Sequence, residues 1–412
     1  MRILMLAQFY APIFGGEERM VESLAVGLTE RGHDVAVATL RQPGQAAREE
    51  IRGVRIHRLP GMAQRLPWLF SEDGRRFAPP APDPETVGHL RRVLDAERPD
   101  VVHGHNWLAH AYLPLRRRRP SAFVESLHDY SLVCANKRLV RGDEPCSGPG
   151  PGKCVACAAR QYGVLTGPPV ALLTRAGCHA QRRAVDRFLP VSEEVAARCG
   201  LARMGVPFEV VPNFLLDGPE AAAHEDPALD GLPHGEFLLY VGDLTNDKGV
   251  GALLEAHAAM HGRPPLVLIG RTVDPALSRA REDVTVLGPV PHAAVLAAWQ
   301  RCTVAVVPSI TPETFGLVAL EAMAAGRPVV AARAGGLPEV VSDRESGLLV
   351  APGDPQALRA ALEAVMGDRA LRERLSAGAI ARAAAFTPQA VLPRFEQAYE
   401  RARAARARAI AA

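Results

Sequence analysis

The chain has 412 residues, enough for two or three domains, and its 48% hydrophobic and 23% charged content is that of an ordinary soluble α/β protein. A net charge of +3, from 48 basic against 45 acidic residues, gives no general drive towards nucleic acid. No apolar run approaches the ~18 residues of a membrane span, and seven cysteines without a secretion signal indicate a reducing compartment.

Arg2–Gln8 is an apolar run without a small-residue cleavage site, which predicts a strand and not a signal core. The following loop holds Gly15-Gly16, where backbone N–H groups can approach a phosphate closely, although a lone Gly pair is also a common turn. Met20, Leu24 and Leu28 share one face of a helix predicted over Arg19–Arg31, and Asp34–Leu40 is the next strand. Residues 41–85 are polar and Pro-rich. Within them Trp68-Leu69-Phe70, beside Arg75-Arg76, could touch a membrane or an acceptor, but core packing is the commoner use of such a cluster.

A helix over Thr86–Arg98 and a strand over Asp100–His103 come next. His103 and His105 follow one another in HGHNW, with no third ligand spaced to make a zinc site. Arg116–Arg119 reads as a solvated helix end. The strand Ala122–Leu127 then carries His128-Asp129 at its C-terminal end, where a doubly wound sheet holds its ligands.

Residues 130–165 form an insertion with four cysteines, Cys134, Cys146, Cys154 and Cys157, in the spacing C-x11-C-x7-C-x2-C. The C-x-x-C end has knuckle spacing and the Gly/Pro-rich stretch Gly148–Gly152 can fold tightly, so a closed structural zinc is expected. An iron–sulfur cluster, two disulfides or free thiols are the alternatives. Cys178, Cys199 and Cys302 stand in helix-like or apolar contexts and read as packing residues.

A helix over Val170–Arg187, a strand over Phe188–Val191, a helix capped by Ser192 and a strand over Phe208–Val211 complete the first half. Residues 216–235 read as a linker. Phe237–Val241 is a strand, and Lys248 precedes a helix over Val250–Met260, so a point charge and free N–H groups together suit a diphosphate. After strands at Leu266–Gly270, Val284–Leu287 and Val304–Val307 comes PSITPETFGLVALEAMAAGRPVVAARAGGLPE, residues 308–339. Gly316 opens an Ala/Leu-rich helix whose N-terminus suits an anion or a polar sugar. Glu321 inside that helix is either a solvated residue or a carboxylate that needs paired hydroxyls. Helices over Leu358–Met366 and Leu371–Ala385 precede an Arg/Ala-rich tail, read as a solvated helix end.

Glu313-Thr314-Phe315-Gly316-x4-Glu321, followed by Gly326-x-Pro328 and Gly335-Gly336-x-Pro338-Glu339, resembles the donor-site signature of the retaining glycosyltransferases of family 4. The closing GLLVAPGD, residues 347–354, the V-P-N turn at Asn213 and the D-V-V-H-x-H segment at His103 and His105 resemble that family too. The resemblance implies a GT-B fold: two Rossmann-like doubly wound domains facing a cleft, with a C-terminal helix crossing back to the first. It implies boundaries at 1–215 for an acceptor domain, 216–384 for a donor domain and 385–412 for the returning helix.

By the same resemblance, Glu313 and the backbone of Phe315, Gly316 and Leu317 hold the donor sugar, and Glu321 holds the ribose. Gly15 and Gly16 face the diphosphate or the acceptor, and His128 reaches the sugar. The family places an Arg directly after the Gly that ends the first strand of the second domain. Here that residue is Asp243, which leaves Lys248 or Arg271 to carry the diphosphate. The expected reaction moves a sugar from a UDP- or GDP-linked donor to a sugar, lipid-linked or small-molecule acceptor, with retention and without a catalytic metal. The expected place is the cytoplasm or the inner face of the membrane.

Overall fold

A computed structural model of the chain describes all residues except 14, 67–75, 143, 224–225, 279–281 and 412. The Trp68-Leu69-Phe70 cluster and Arg75 lie outside the described residues. The chain divides into two compact units: Met1–Leu139, Ser147–Phe214 and Pro388–Ala412 form one, and Val140–Cys146 with Leu215–Thr387 form the other.

The first unit is built on seven strands: β1 (Arg2–Leu6), β2 (Asp34–Leu40), β3 (Arg48–Ile51), β4 (Val54–Leu59), β5 (Val101–Gly104), β6 (Ala122–Leu127) and, after a hairpin of β7 (Val140–Arg141) and β8 (Glu144–Pro145), β9 (Arg187–Pro190). Their order is β3-β4-β2-β1-β5-β6-β9, and only the β3–β4 pair is antiparallel. The strands β1, β5 and β6 are buried almost throughout, His103, Glu125 and Ser126 included, as the central strands of a parallel sheet are. The chain order reverses between β1 and β5, whose register sets Leu4 opposite Val102. A helix over Gly16–Glu30, earlier than the sequence suggests, buries Met20, Leu24 and Leu28. The C-terminal helix Pro388–Ala411 belongs to this unit and packs against β6 and the Gly16–Glu30 helix.

Two expectations need revision here. Arg117 and Arg118 are exposed on a short helical turn as expected, but Arg116 is buried, with Asp186 at 2.6 Å and the carbonyls of Ala184 and Ser121 as further acceptors. The cysteine-rich insertion is not a loop wrapped around an ion. Cys154 and Cys157 stand one turn apart on a regular helix, Pro151–Tyr162, and Cys146 follows the β7–β8 hairpin, which groups with the other unit. All seven cysteines are described and stand outside any disulfide. The Cys134 thiol donates to Asn136 Oδ1 at 2.8 Å, the Asn136 amide donates to Cys157 Sγ at 3.6 Å, and Cys154 Sγ accepts from the Gly150 N–H at 3.3 Å. Burial pushes the Cys134 thiol up. Among the described residues no group of three or more His, Cys, Asp or Glu could hold a metal ion. The zinc expectation for Cys134, Cys146, Cys154 and Cys157 is therefore not supported: no such cluster is found among the described residues, and Cys154 and Cys157 belong to a helix.

The second unit has six parallel strands, β10 (Leu238–Val241), β11 (Leu266–Ile269), β12 (Val284–Leu287), β13 (Val304–Val307), β14 (Val329–Ala332) and β15 (Gly347–Val350). They run β12-β11-β10-β13-β14-β15, the doubly wound order, with the reversal between β10 and β13. Leu238, Leu253, Leu266, Val304, Leu358 and Leu362 lie in one buried cluster under the sheet.

Candidate donor and acceptor residues

In the second unit the reversal point puts two loops side by side, one after β10 and one after β13. Open α/β sheets bind ligands at that place. Lys248, from the first loop, meets Glu313, from the second, with Nζ and Oε1 2.7 Å apart. Ser309 Oγ donates to the same carboxylate oxygen at 2.6 Å, and the Glu313 carbonyl accepts from the Gly336 N–H at 2.7 Å. The Ile310 and Thr311 N–H groups both bond the Asp247 carbonyl, which ties the loops together.

One glycine allows this close approach. Gly249 has φ of 77°, and a Cβ there would lie 1.9 Å from the Pro308 carbonyl oxygen. Gly316, with φ of 112°, is the N-cap of the helix Leu317–Ala324 and gives it no side-chain cap. Phe315 is buried edge-on against Phe386, and Leu317 is the first helical residue.

Glu321 is buried, which removes the solvated reading. Its Oε1 meets His292 Nε2 at 3.0 Å and its Oε2 accepts from the Trp299 indole at 3.4 Å. These two partners were not foreseen. They lie seven residues apart on the helix His292–Arg301, a spacing that puts them on one face. Arg271 stands 2.9 Å from Asp243, so the residue that departs from the family pattern is paired with the cation that could replace the missing one.

In the first unit Gly15 is the N-cap and Gly16 the first residue of the Gly16–Glu30 helix. His128 follows β6 and is buried, with Nε2 3.0 Å from Nδ1 of His105 and the two rings stacked 5.3 Å apart. Burial lowers His128 to about 4 and takes His103 and His105 well below their ordinary value, so all three are neutral near pH 7. The Asn213 side chain is hydrogen-bonded to His128, and the buried His105 Nε2 has no hydrogen-bond partner among the described residues. His103 is held between Tyr399 at 2.8 Å and Ser126 at 2.9 Å.

Glu17 was missed. Burial, then the carboxylates of Asp129 and Glu18, push it up to about 8, and the Asn106 amide donates to it. Only its place directly after Gly15-Gly16 hinted at it. Asn106 also accepts from the Gln8 and Leu108 N–H groups at 3.1 Å each, which joins the loops after β1 and β5.

Two Rossmann-like units of this kind are the build of the GT-B fold. Residues 15–213 match the glycosyl transferase 4-like domain, and residues 235–368 match glycosyl transferases group 1. The D-inositol 3-phosphate glycosyltransferase of Frankia alni is 31% identical over 306 residues, which is 70% of this chain and 70% of that protein. Its namesake in Corynebacterium diphtheriae is 37% identical over 186 residues, 41% of this chain and 43% of that protein. Sucrose-phosphate synthase from Thermosynechococcus elongatus superposes with a TM-score of 0.74 at 23% identity, covering 98% of this chain and 99% of that one. Anabaena HepE in complex with UDP and glucose superposes at 0.69 with 17% identity, covering 97% and 99%. The chain belongs to the family 4 glycosyltransferases of GT-B fold.

Proposed function

We propose that this enzyme moves a sugar, with retention, from a nucleoside diphosphate sugar to an acceptor hydroxyl in polysaccharide, glycolipid or glycoconjugate synthesis. The observation that carries the reading is the meeting of Lys248 and Glu313 beside the Gly316 helix start, at the reversal point of the second sheet. Glu313 and the backbone of Phe315, Gly316 and Leu317 take the donor sugar. Glu321, oriented by His292 and Trp299, takes the ribose hydroxyls.

Lys248, with Arg271 and the helix start, stabilises the diphosphate as it leaves, a charge role that a metal fills in other transferases. Gly15 and Gly16 serve the diphosphate or the acceptor. Burial keeps the His128 imidazole neutral near pH 7, which supports its role as a sugar-binding group. The acceptor attacks on the face that the diphosphate leaves. UDP is the first base to test, because a structure of similar fold is a complex with UDP and glucose; GDP is the second. The acceptor is a sugar, a lipid-linked sugar or a small molecule, and the place of the reaction is the cytoplasm or the inner face of the membrane.

Screening nucleotide sugars for release of free nucleoside diphosphate tests the reading. Turnover with one donor, lost in His128→Ala and kept in excess chelator, is expected. No release from any UDP- or GDP-sugar across an acceptor panel would reject it.

A further inference from the structure

Before β9 the chain forms two helices, Pro151–Tyr162 and Gly167–Ala184, packed on one another in the first unit. The second helix buries Ala171, Thr174, Gly177 and Gln181, a single face at helical spacing. Its outer face exposes Leu172 and Leu173, the end of the first helix exposes Tyr162, and the turn between the helices exposes Val164 and Leu165. Val164 is 79% exposed and Leu165 86%. Among the described residues ten large apolar side chains are exposed, and five of them fall between residues 162 and 173. Single exposed apolar residues are ordinary, but such a concentration marks an interaction surface.

The charge around it is one-sided. Residues 145–185 contain no Asp or Glu, and they contain Lys153, Arg160, Arg175, Arg182 and Arg183. The four arginines are exposed. A second copy of the chain would set these cations against their own kind, which disfavours self-association through this face. An anionic bilayer meets both halves of the pattern. Apolar tips enter the acyl boundary, and guanidinium groups stay with the headgroup phosphates. Among the described residues no helix is long and apolar enough to cross a membrane, so the hairpin would lie in the interface.

We propose that the Pro151–Ala184 helical hairpin docks the first unit on a bilayer of anionic phospholipid, through Val164, Leu165, Leu172 and Leu173 and the flanking arginines. This binding does not depend on the reaction proposed above, so either can fail alone. The test is co-sedimentation of the full chain with vesicles of phosphatidylcholine alone, or with half the lipid replaced by phosphatidylglycerol. Binding is expected to the anionic vesicles and to weaken with salt. The Val164→Ser/Leu165→Ser double variant is expected to lose about tenfold or more in vesicle affinity. Arg160→Gln and Arg175→Gln are each expected to lose about fivefold. Both sets replace exposed residues, so circular dichroism and the melting midpoint are expected to stay unchanged.

Absence of wild-type binding to anionic vesicles would overturn the proposal. So would a Val164→Ser/Leu165→Ser variant that binds as well as wild type, which would move the surface elsewhere, such as to the C-terminal arginines. A wild-type dimer that the double variant makes monomeric, with no vesicle binding, would assign the face to a second copy instead.

Discussion

Glu313 is where a cation, a hydroxyl and a neighbouring backbone converge, and its partners decide what substitutions there and nearby can report. Lys248 is partly exposed, so its ion pair adds little to stability. Lys248→Ala is therefore expected to lower turnover strongly while moving the melting midpoint little, with product release and thermal melting measured on the same preparation. If turnover survives in Lys248→Ala and fails in Arg271→Ala, the diphosphate role passes to Arg271, which Asp243 already orients. Glu321 needs a gentler change. Truncation would strip His292 and Trp299 of their acceptor, whereas Glu321→Gln keeps the shape and removes the charge. Nucleotide affinity by calorimetry should then fall by about 1.5–3 kcal/mol, the usual worth of hydrogen bonds to a charged group. Unchanged affinity in folded Glu321→Gln would remove Glu321 from the ribose.

At the scale of elements, the loops after β10 and β13 touch only because Gly249 has no side chain. A methyl there would meet the Pro308 carbonyl oxygen and would sit at positive φ. Gly249→Ala is expected to destabilise the second unit by about 3 kcal/mol or more and to weaken donor binding even below the melting transition. Wild-type donor affinity in that variant would show that the loops need not touch. This region was also the most legible in the sequence, because Gly242 follows β10, Pro308 follows β13, and Gly249 and Gly316 stand at the starts of the helices after them. The same logic failed where the local signal was mixed. The β3–β4 edge, Arg48–Leu59, alternates charged and apolar residues inside a Pro-rich stretch and gave no clear strand. C-x-x-C spacing serves a knuckle or one turn of helix equally well. Around Cys154 and Cys157 stand Val155, Ala156, Ala158 and Ala159, and three alanines, the best of helix formers, tip the segment to helix. Arg116 was misread because its partner Asp186 lies 70 residues away, beyond any local pattern.

Over the whole molecule, ionisable groups of the first unit, all buried except the half-buried Glu17 and Glu396, set a pH dependence whose sign can be worked out. His103, His105, His110 and His128 are all lowered by burial from an ordinary 6.5. Each contributes stability that is present above pH 6.5 and is lost as pH falls towards its folded value, since only the unfolded chain takes the proton. Glu17 and Glu125 are shifted the other way, from an ordinary 4.5 up to about 8, by burial first and the Asp129 carboxylate second. Their stability is present below pH 4.5 and is lost as pH rises through 8. Each group changes the unfolding free energy by about 1.4 kcal/mol per pH unit inside its own window. Between 6.5 and 8 only the two carboxyls act, so stability falls as pH rises. Between 4.5 and 6.5 four histidines oppose two carboxyls, so stability falls as pH drops. Below 4.5 Glu396, held down to about 2 by Arg31 and then His33, adds to the acid loss. Denaturant unfolding across this range should therefore show greatest stability near pH 6.5. The Glu125→Gln variant should flatten the alkaline limb without touching the acid limb below pH 4.5. A stability curve that keeps rising from pH 6.5 to 8 would mean that Glu17 and Glu125 are ionised in the folded protein at neutral pH.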